Sequence, residues 1–361
     1  MNVQARTPYD GLPDTAYWRR SVASLPREAV DPCSVPPFQI SSSDKVMSAG
    51  SCFAQHISRY LRESGFTSML TEPPHPLLPD ETAAAFNYGT FTARYGNIYV
   101  PRQLLQLFQR VYAQFHPKED LWVSGHGFID PFRPQIQHGG FSTRKEFDLD
   151  RQQHFSAVRQ AFETLDVFVF TFGLTEAWLS REDGAVFPLC PGVVGGEFDT
   201  ERHYFHNFSV EEIVADAEAF FEGLRGVNPK SRIIVTVSPV PLIATASGKH
   251  VLSATTYSKS VLRVACEMLE RRVEALYYFP SYEIIMGPQG RGAYLADDLR
   301  SVRETGVDQV MRVFFERLAA TDYGSLYRPD PSGPGQDERQ DLDDAMQTAC
   351  DEEVLDRLRR S

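Results

Sequence analysis

The residues able to do chemistry in this chain collect just after its apolar strands. KVMSAGS is a short apolar strand ending in Gly50 and Ser51, and Cys52 comes next. FAQHISRYLRESG then places Phe53, Ile57, Tyr60 and Leu61 on one helical face, with Gly65 as a stop signal. A strand, a tight turn and a helix set the Ser51 hydroxyl at a helix N-terminus, where free N–H groups favour negative charge. A nucleophile there brings part of its oxyanion hole with it. The bland role for Ser51 is helix N-cap. Cys52 is the rival nucleophile, because a helix N-terminus lowers a thiol pKa, or else a small residue packing the turn.

Three more strands run into loops at the same edge. DVFVFTF is followed by Gly173, Leu174, Thr175 and Glu176; RIIVTVS by Pro239, Val240 and Pro241; VEALYYF by Pro280, Ser281, Tyr282 and Glu283. Glu176 near Trp178, and Glu283 beside Tyr282, are candidates for binding substrate or for capping loops. His203 with His206, and His126 with His138, invite a metal check. No carboxylate or cysteine stands at a zinc spacing beside them, so no metal is expected. There is no GxGxxG after a strand and no P-loop, so no nucleotide cofactor is expected.

The elements that must position these groups follow from apolar periodicity. A helix is predicted over residues 150–165. Ser209 with Glu212 forms a capping box before SVEEIVADAEAFFEGLRG, and TYSKSVLRVACEMLERR is amphipathic. Val307, Val310, Met311, Phe314, Phe315 and Leu318 mark a last core helix. Near-continuous apolar strands separated by helices predict an α/β fold with a parallel sheet, whose functional loops sit at the carboxyl ends of the strands. Residues 1–44 read as an N-terminal arm and 45–328 as the domain. Residues 71–140 form a loop-rich insertion holding one helix opened by Pro101, and 329–361 an acidic tail.

Composition narrows the partners. The 361 residues carry 36 Lys and Arg against 48 Asp and Glu, a net charge of −12, with no basic cluster to grip DNA or RNA. Residues 329–361 hold ten of the acids against four arginines, which makes the tail a candidate docking segment for a protein partner. No apolar run is long enough for a membrane span, and the start lacks a signal-like apolar core. The cysteines, Cys33, Cys52, Cys190, Cys266 and Cys350, are odd in number and widely spaced, as expected of reduced thiols in a cytoplasm.

The run G-S-C-F-A, residues 50–54, resembles the GSCFA family, which takes its name from that pentapeptide. TFGLTEAW, IIVTVSPVPL, TYSKSVLR and YYFPSYEI resemble it in the same order, so the likeness runs from about residue 46 to 298. The family is related to the SGNH/GDSL hydrolases. The resemblance therefore implies a three-layer α/β/α sandwich with a parallel sheet of about five strands. It implies a serine nucleophile after the first strand, oxyanion donors from a Gly and an Asn, and an Asp-x-x-His pair near the C-terminus. Carried over, Ser51 matches the nucleophile and also an oxyanion N–H. Gly89, in Phe86-Asn87-Tyr88-Gly89, matches the oxyanion glycine, with Asn87 beside it as a substrate contact. Thr175 stands where the Asn is expected.

The last block departs from the pattern. It reads Asp298-Leu299-Arg300-Ser301, with serine where the family's histidine stands. His250, in the loop GKHVLSATTYSK, is the expected replacement base, with Asp298 to orient it. Its alternative is an exposed loop histidine, and His56 and His203 come next. The function implied is an esterase or acyltransferase acting on O-acyl groups, O-acetyl in particular, on a small molecule or a bacterial glycan. A non-catalytic binding protein on the same scaffold is the alternative.

Overall fold

The computed structural model describes residues 7–125, 127–320 and Leu355. Its elements, in chain order, begin with β1 (Val46–Gly50), α1 (Phe53–Glu63), α2 (Asp80–Ala85), α3 (Pro101–Val111), β2 (Trp122–Ser124), β3 (Gly127–Ile129) and α4 (Arg144–Thr164). There follow β4 (Val167–Phe172), β5 (Glu176–Ser180), β6 (Val186–Phe187), β7 (His203–Asn207), α5 (Val210–Val227) and β8 (Arg232–Val237). The series closes with α6 (Val251–Arg272), β9 (Leu276–Tyr278), α7 (Ser281–Met286) and α8 (Glu304–Leu318).

β1, β4, β8 and β9 form a parallel sheet in the order β1-β4-β8-β9. The count is four, against the expected five or so. A rudiment of the fifth lies outside β1, where the Val46 N–H donates to the Thr67 carbonyl and the Met69 N–H to the Val46 carbonyl, both at 2.9 Å. The chain then leaves the edge within a few residues, at Pro73 and Pro74, which have no N–H to continue a ladder. With this rudiment the order is that of doubly wound sheets, whose switch point lies between β1 and β4.

Alternation along each strand sorts the core into two layers. On β4, Val167 and Val169 pack with Phe53, Ile57 and Leu61 of α1 and with α7 and α8. Phe168, Phe170 and Phe172 point the other way, into the layer made by α3, α4, α5 and α6. Both faces are buried, which is why the strands read as unbroken apolar runs. The Ser209–Glu212 capping box opens α5 as expected. The helix expected over 150–165 starts earlier, at Arg144, because Thr143 and Glu146 form a capping box of their own. A second, antiparallel sheet, β6-β5-β7, and the β2–β3 hairpin flank the main sheet.

A buried ion cluster holds residues 72–154 together. Arg94 donates to the Phe86 carbonyl (3.0 Å), to the Ile136 carbonyl (2.9 Å) and to Asp150 (2.9 Å). Arg133 donates to Asp130 (2.9 Å) and to the other oxygen of Asp150 (2.7 Å). Glu72 accepts the Arg94 N–H (2.7 Å) and meets His154 Nδ1 (2.8 Å). Burial alone would raise the Glu72 carboxyl, but His154 and the arginines outweigh it and hold the group down to about 2.

Residues 28–40 run along α8. Ile40 donates to the Leu318 carbonyl at 2.6 Å and accepts from the Ala320 N–H at 2.9 Å, a parallel bridge between the two ends of the described body. The acidic tail lies outside the described residues except for Leu355. Among the described residues no helix is long and apolar enough to cross a membrane.

Breaking a buried charge network strands its partners without compensation. Asp150→Asn, which denies Arg94 and Arg133 their shared carboxylate, is expected to cost about 3 kcal/mol of unfolding free energy. Denaturant titration followed by circular dichroism measures it, and a loss within about 0.5 kcal/mol would mean the cluster is not structural.

Candidate active site

Gly50 sets the site. Its φ is +141°, and a Cβ built on it would stand 2.5 Å from the Thr171 carbonyl oxygen on the neighbouring strand. Only glycine fits that approach. Its own carbonyl accepts the Ile98 N–H at 2.9 Å, so the insertion is tied to the end of β1. The chain then turns into α1, with the Ala54 N–H on the Ser51 carbonyl (2.9 Å) and the Gln55 N–H on the Cys52 carbonyl (3.0 Å). Cys52 is the N-cap residue, and no side chain caps this helix. Ser51 is therefore not serving as a cap. Its side chain is buried, with 4% of the residue exposed, and its Oγ has no hydrogen-bond partner among the described residues.

The loop after β4 packs against this turn. A Cβ on Gly173 would lie 3.1 Å from Ser51 Cβ and 3.2 Å from the Tyr99 carbonyl oxygen. Gly173 and Leu174 both donate their N–H to that Tyr99 carbonyl at 3.0 Å. From below, two consecutive residues of α6 pin the same loop: Ser258 Oγ accepts the Thr175 N–H (3.1 Å), and Lys259 Nζ donates to the Gly173 carbonyl (2.7 Å). Lys259 is only 2% exposed, so an ammonium group sits deep beside the serine's neighbouring loop. The Oγ1 atoms of Thr171 and Thr175 and both amide atoms of Gln55 are buried with no partner among the described residues. With Ser51 Oγ they gather where β1 and β4 end and α1 begins. Buried polar atoms left unpaired call for an explanation, and a reacting group is one.

The other expected site residues are spread more widely. Thr175 gives its N–H to Ser258 Oγ, and its hydroxyl is buried with no partner among the described residues. The Gly89 carbonyl accepts the guanidinium of Arg62, a residue in the last turn of α1. Asn87 donates to the Gln135 carbonyl, inside the insertion. His250 does not lie in an open loop. It is the N-cap of α6, its Nδ1 accepting the Leu252 N–H at 3.2 Å, about 13 Å up the helix from Lys259. Asp298 is engaged in its own turn by the N–H groups of Arg300 and Ser301 and by the Ser301 hydroxyl. Burial opposes these bonds, yet together they keep its pKa below the usual value. Glu283 is held by Arg263 and Tyr278, both at 2.8 Å, and Tyr282 packs on the main core.

Glu176 and Trp178 line a cavity that also takes in Tyr99 and Leu174. His203 pairs with Glu119, His206 with Glu212, and His138 with the Ala85 carbonyl, while His126 lies outside the described residues. His56, one turn into α1, is pushed down to about 4 by burial and by Arg59, so it is neutral at pH 7. Ser258 and Lys259 were not singled out from the sequence. The signal was present: both fall on the apolar stripe of α6, four and three residues before the buried Leu262.

These features define a class, a three-layer α/β/α protein with a serine-headed turn at the switch point of its sheet. Within it the chain belongs to the GSCFA family, whose profile matches residues 45–314. No curated protein matches it. Among solved structures it is similar to a carbohydrate esterase family 3 protein from Talaromyces cellulolyticus, at 12% identity over 76% of this chain and 96% of that one. The TM-score of that pair is 0.28, too low to carry an argument.

Two outcomes test this geometry. Gly50→Ala is expected to lose at least about 3 kcal/mol or to fail to fold. Gly65→Ala, which meets open space at a φ of +76°, should lose only about 1 kcal/mol. His56 stays neutral when folded down to about pH 4 but protonates near 6.5 in the unfolded chain, so stability falls as pH drops through that window. In His56→Gln this fall should be smaller by on the order of 2 kcal/mol at pH 4. Melting curves at pH 7 and pH 4 for both proteins measure it, and parallel pH profiles would contradict the assignment.

Proposed function

We propose that the protein is a serine esterase or acyltransferase acting on O-acyl groups through an acyl-enzyme on Ser51. The observation that carries the reading is the Ser51 hydroxyl itself: buried at the head of α1, at the switch point, with no cap bond to make. Ser51 Oγ attacks the ester carbonyl, its proton passes through a base to the leaving alkoxide, and an acyl-serine ester forms. Water or a sugar hydroxyl then attacks that ester, releasing acid or a new ester and restoring the serine. The Thr175 hydroxyl and the N–H groups at the head of α1 are the donors for the oxyanion. Lys259 holds the Gly173 carbonyl and so fixes the wall the ester lies against. The resemblance suggests O-acyl groups, O-acetyl among them, on a small molecule or a bacterial glycan as the substrate, and the odd, widely spaced cysteines suggest a cytoplasmic setting.

The proton acceptor proposed from the sequence is His250 with Asp298. To serve, that imidazole must leave its cap position and reach Ser51. A second reading, a binding protein on this scaffold, is favoured by one observation. Ser301 stands in the histidine position with its hydroxyl on Asp298, and no side chain, imidazole included, is bonded to Ser51 Oγ among the described residues.

Hydrolysis of p-nitrophenyl acetate by wild type, Ser51→Ala and His250→Ala separates these readings. The enzyme reading expects Ser51→Ala to lose at least about 1,000-fold in kcat/KM, and His250→Ala to lose about as much, since members of one catalytic unit are not additive. Full activity in His250→Ala reassigns the base, with His56 and then His203 next in line. Equal rates in wild type and Ser51→Ala leave only the binding reading.

A further inference from the structure

The cavity lined by Tyr99, Leu174 and Glu176 has a composition that fits one kind of ligand. It encloses about 330 Å³ and opens next to the serine's loop, with Tyr99 and Leu174 shared between them. Leu174, Trp178, Phe187, Leu189, Phe205 and Leu242 are among its apolar lining residues. Three of its polar side chains, Gln103, Glu176 and Thr245, are engaged through their oxygen atoms. Gln103 Oε1 accepts the N–H groups of Tyr99 (2.9 Å) and Val100 (3.1 Å). Glu176 Oε1 accepts the Thr245 hydroxyl (2.7 Å), which also meets Ser247 Oγ (2.8 Å). Burial raises the Glu176 pKa despite those bonds, a sign of low polarity around it. A sugar ring brought here would lose water from several hydroxyls and find few open partners. An apolar chain loses nothing of the kind. The chain's own Leu355, from the C-terminal segment, already rests against this wall.

We propose that this cavity is the acyl-group site and that it takes an unbranched apolar acyl chain longer than acetyl, about four to eight carbons. The volume has room for roughly ten groups the size of a water molecule, whereas an acetyl methyl fills one such place. The glycan or other alcohol part of the ester would then lie outside the cavity, toward solvent. The chemistry of this proposal rests on the Ser51 esterase reading; the occupancy of the cavity does not.

The test has two arms. In the first, wild type is assayed with p-nitrophenyl acetate, butyrate and hexanoate. Each methylene buried is worth about three- to fourfold in kcat/KM, so hexanoate should exceed acetate at least about tenfold. Val193→Trp and Ala244→Phe, which fill the cavity from two different segments, should each cut that hexanoate-to-acetate ratio at least about fivefold. In the second arm, Ser51→Ala protein is titrated with hexanamide and with N-acetylglucosamine, following tryptophan fluorescence, with Trp178→Phe identifying the responding residue. Saturable quenching by hexanamide and none by the sugar supports the proposal. Quenching by the sugar alone, or acetate as the best ester in wild type, overturns it. If no ester is hydrolysed yet hexanamide binds, the esterase reading falls and the apolar site stands.

Discussion

One close approach governs the rest: the backbone of β1 passes β4 so tightly at Gly50 that no side chain fits between them. The strands are hydrogen-bonded neighbours there, Gly50 opposite Thr171, and just beyond this pair their chains part. β1 turns down into α1 while β4 runs on into Gly173. The crevice opened by that parting is where a doubly wound sheet binds its ligand. Ser51 is the first residue past the pinch, so its position follows from backbone packing and not from any bond made by its own side chain. Gly173 repeats the constraint from the other strand, since a side chain there would press on Ser51 and Tyr99 together.

The insertion forms the roof of this crevice, and its rigidity has a different origin. Ile98 and Tyr99 bond to the ends of β1 and β4, but they are carried by a segment with little regular structure. Three arginines and three carboxylates, almost all nearly or fully buried, give that segment its shape. Taking such charges out of water is costly, and the return comes only when every partner is in place. Removing any one partner would therefore leave an uncompensated buried charge. Arg110, whose guanidinium lies 3.8 Å over the Phe132 ring, extends the cluster toward the cavity side.

Much of the scaffold was legible because burial leaves a periodic trace. The four parallel strands, the helix opened by Pro101, the Ser209 capping box and the turn carrying Ser51 all appear as runs and spacings. The fifth strand, expected from the alternation of strands and helices together with the resemblance, is reduced to a single bridge, where two prolines end it. The long-range geometry had no such trace. Gly89 sits in a block that resembles the oxyanion segment, and nothing in the sequence foretold that its carbonyl would be held by Arg62 of α1. His250 carries no cap signal in the sequence because histidine is not among the preferred N-caps, although its ring accepts the N–H two residues on as a serine or aspartate would. The ion cluster was invisible for a related reason: Glu72, Arg94, Asp130, Arg133 and Asp150 are ordinary charges until the chain brings them together.

The parallel bridge between Ile40 and Ala319 also decides how the molecule answers a mechanical pull. Tension entering through the arm and through the chain beyond residue 320 meets the bonds of Glu28 and Asp31 to α8 together with the two hydrogen bonds of Ile40. The two Ile40 bonds lie in register with each other, so the load is shared in shear before any of it reaches the sheet. Asp31 and Arg317 brace the same junction from the arm side, and the Arg232 guanidinium holds the Gln39 carbonyl. The body from β1 to α8 is thereby a closed ring of chain with a clasp. The crevice holding Ser51 lies at the carboxyl end of the strands, and the clasp joins the arm leading into β1 to the end of α8. Anchoring the protein by its ends would leave the crevice unstrained.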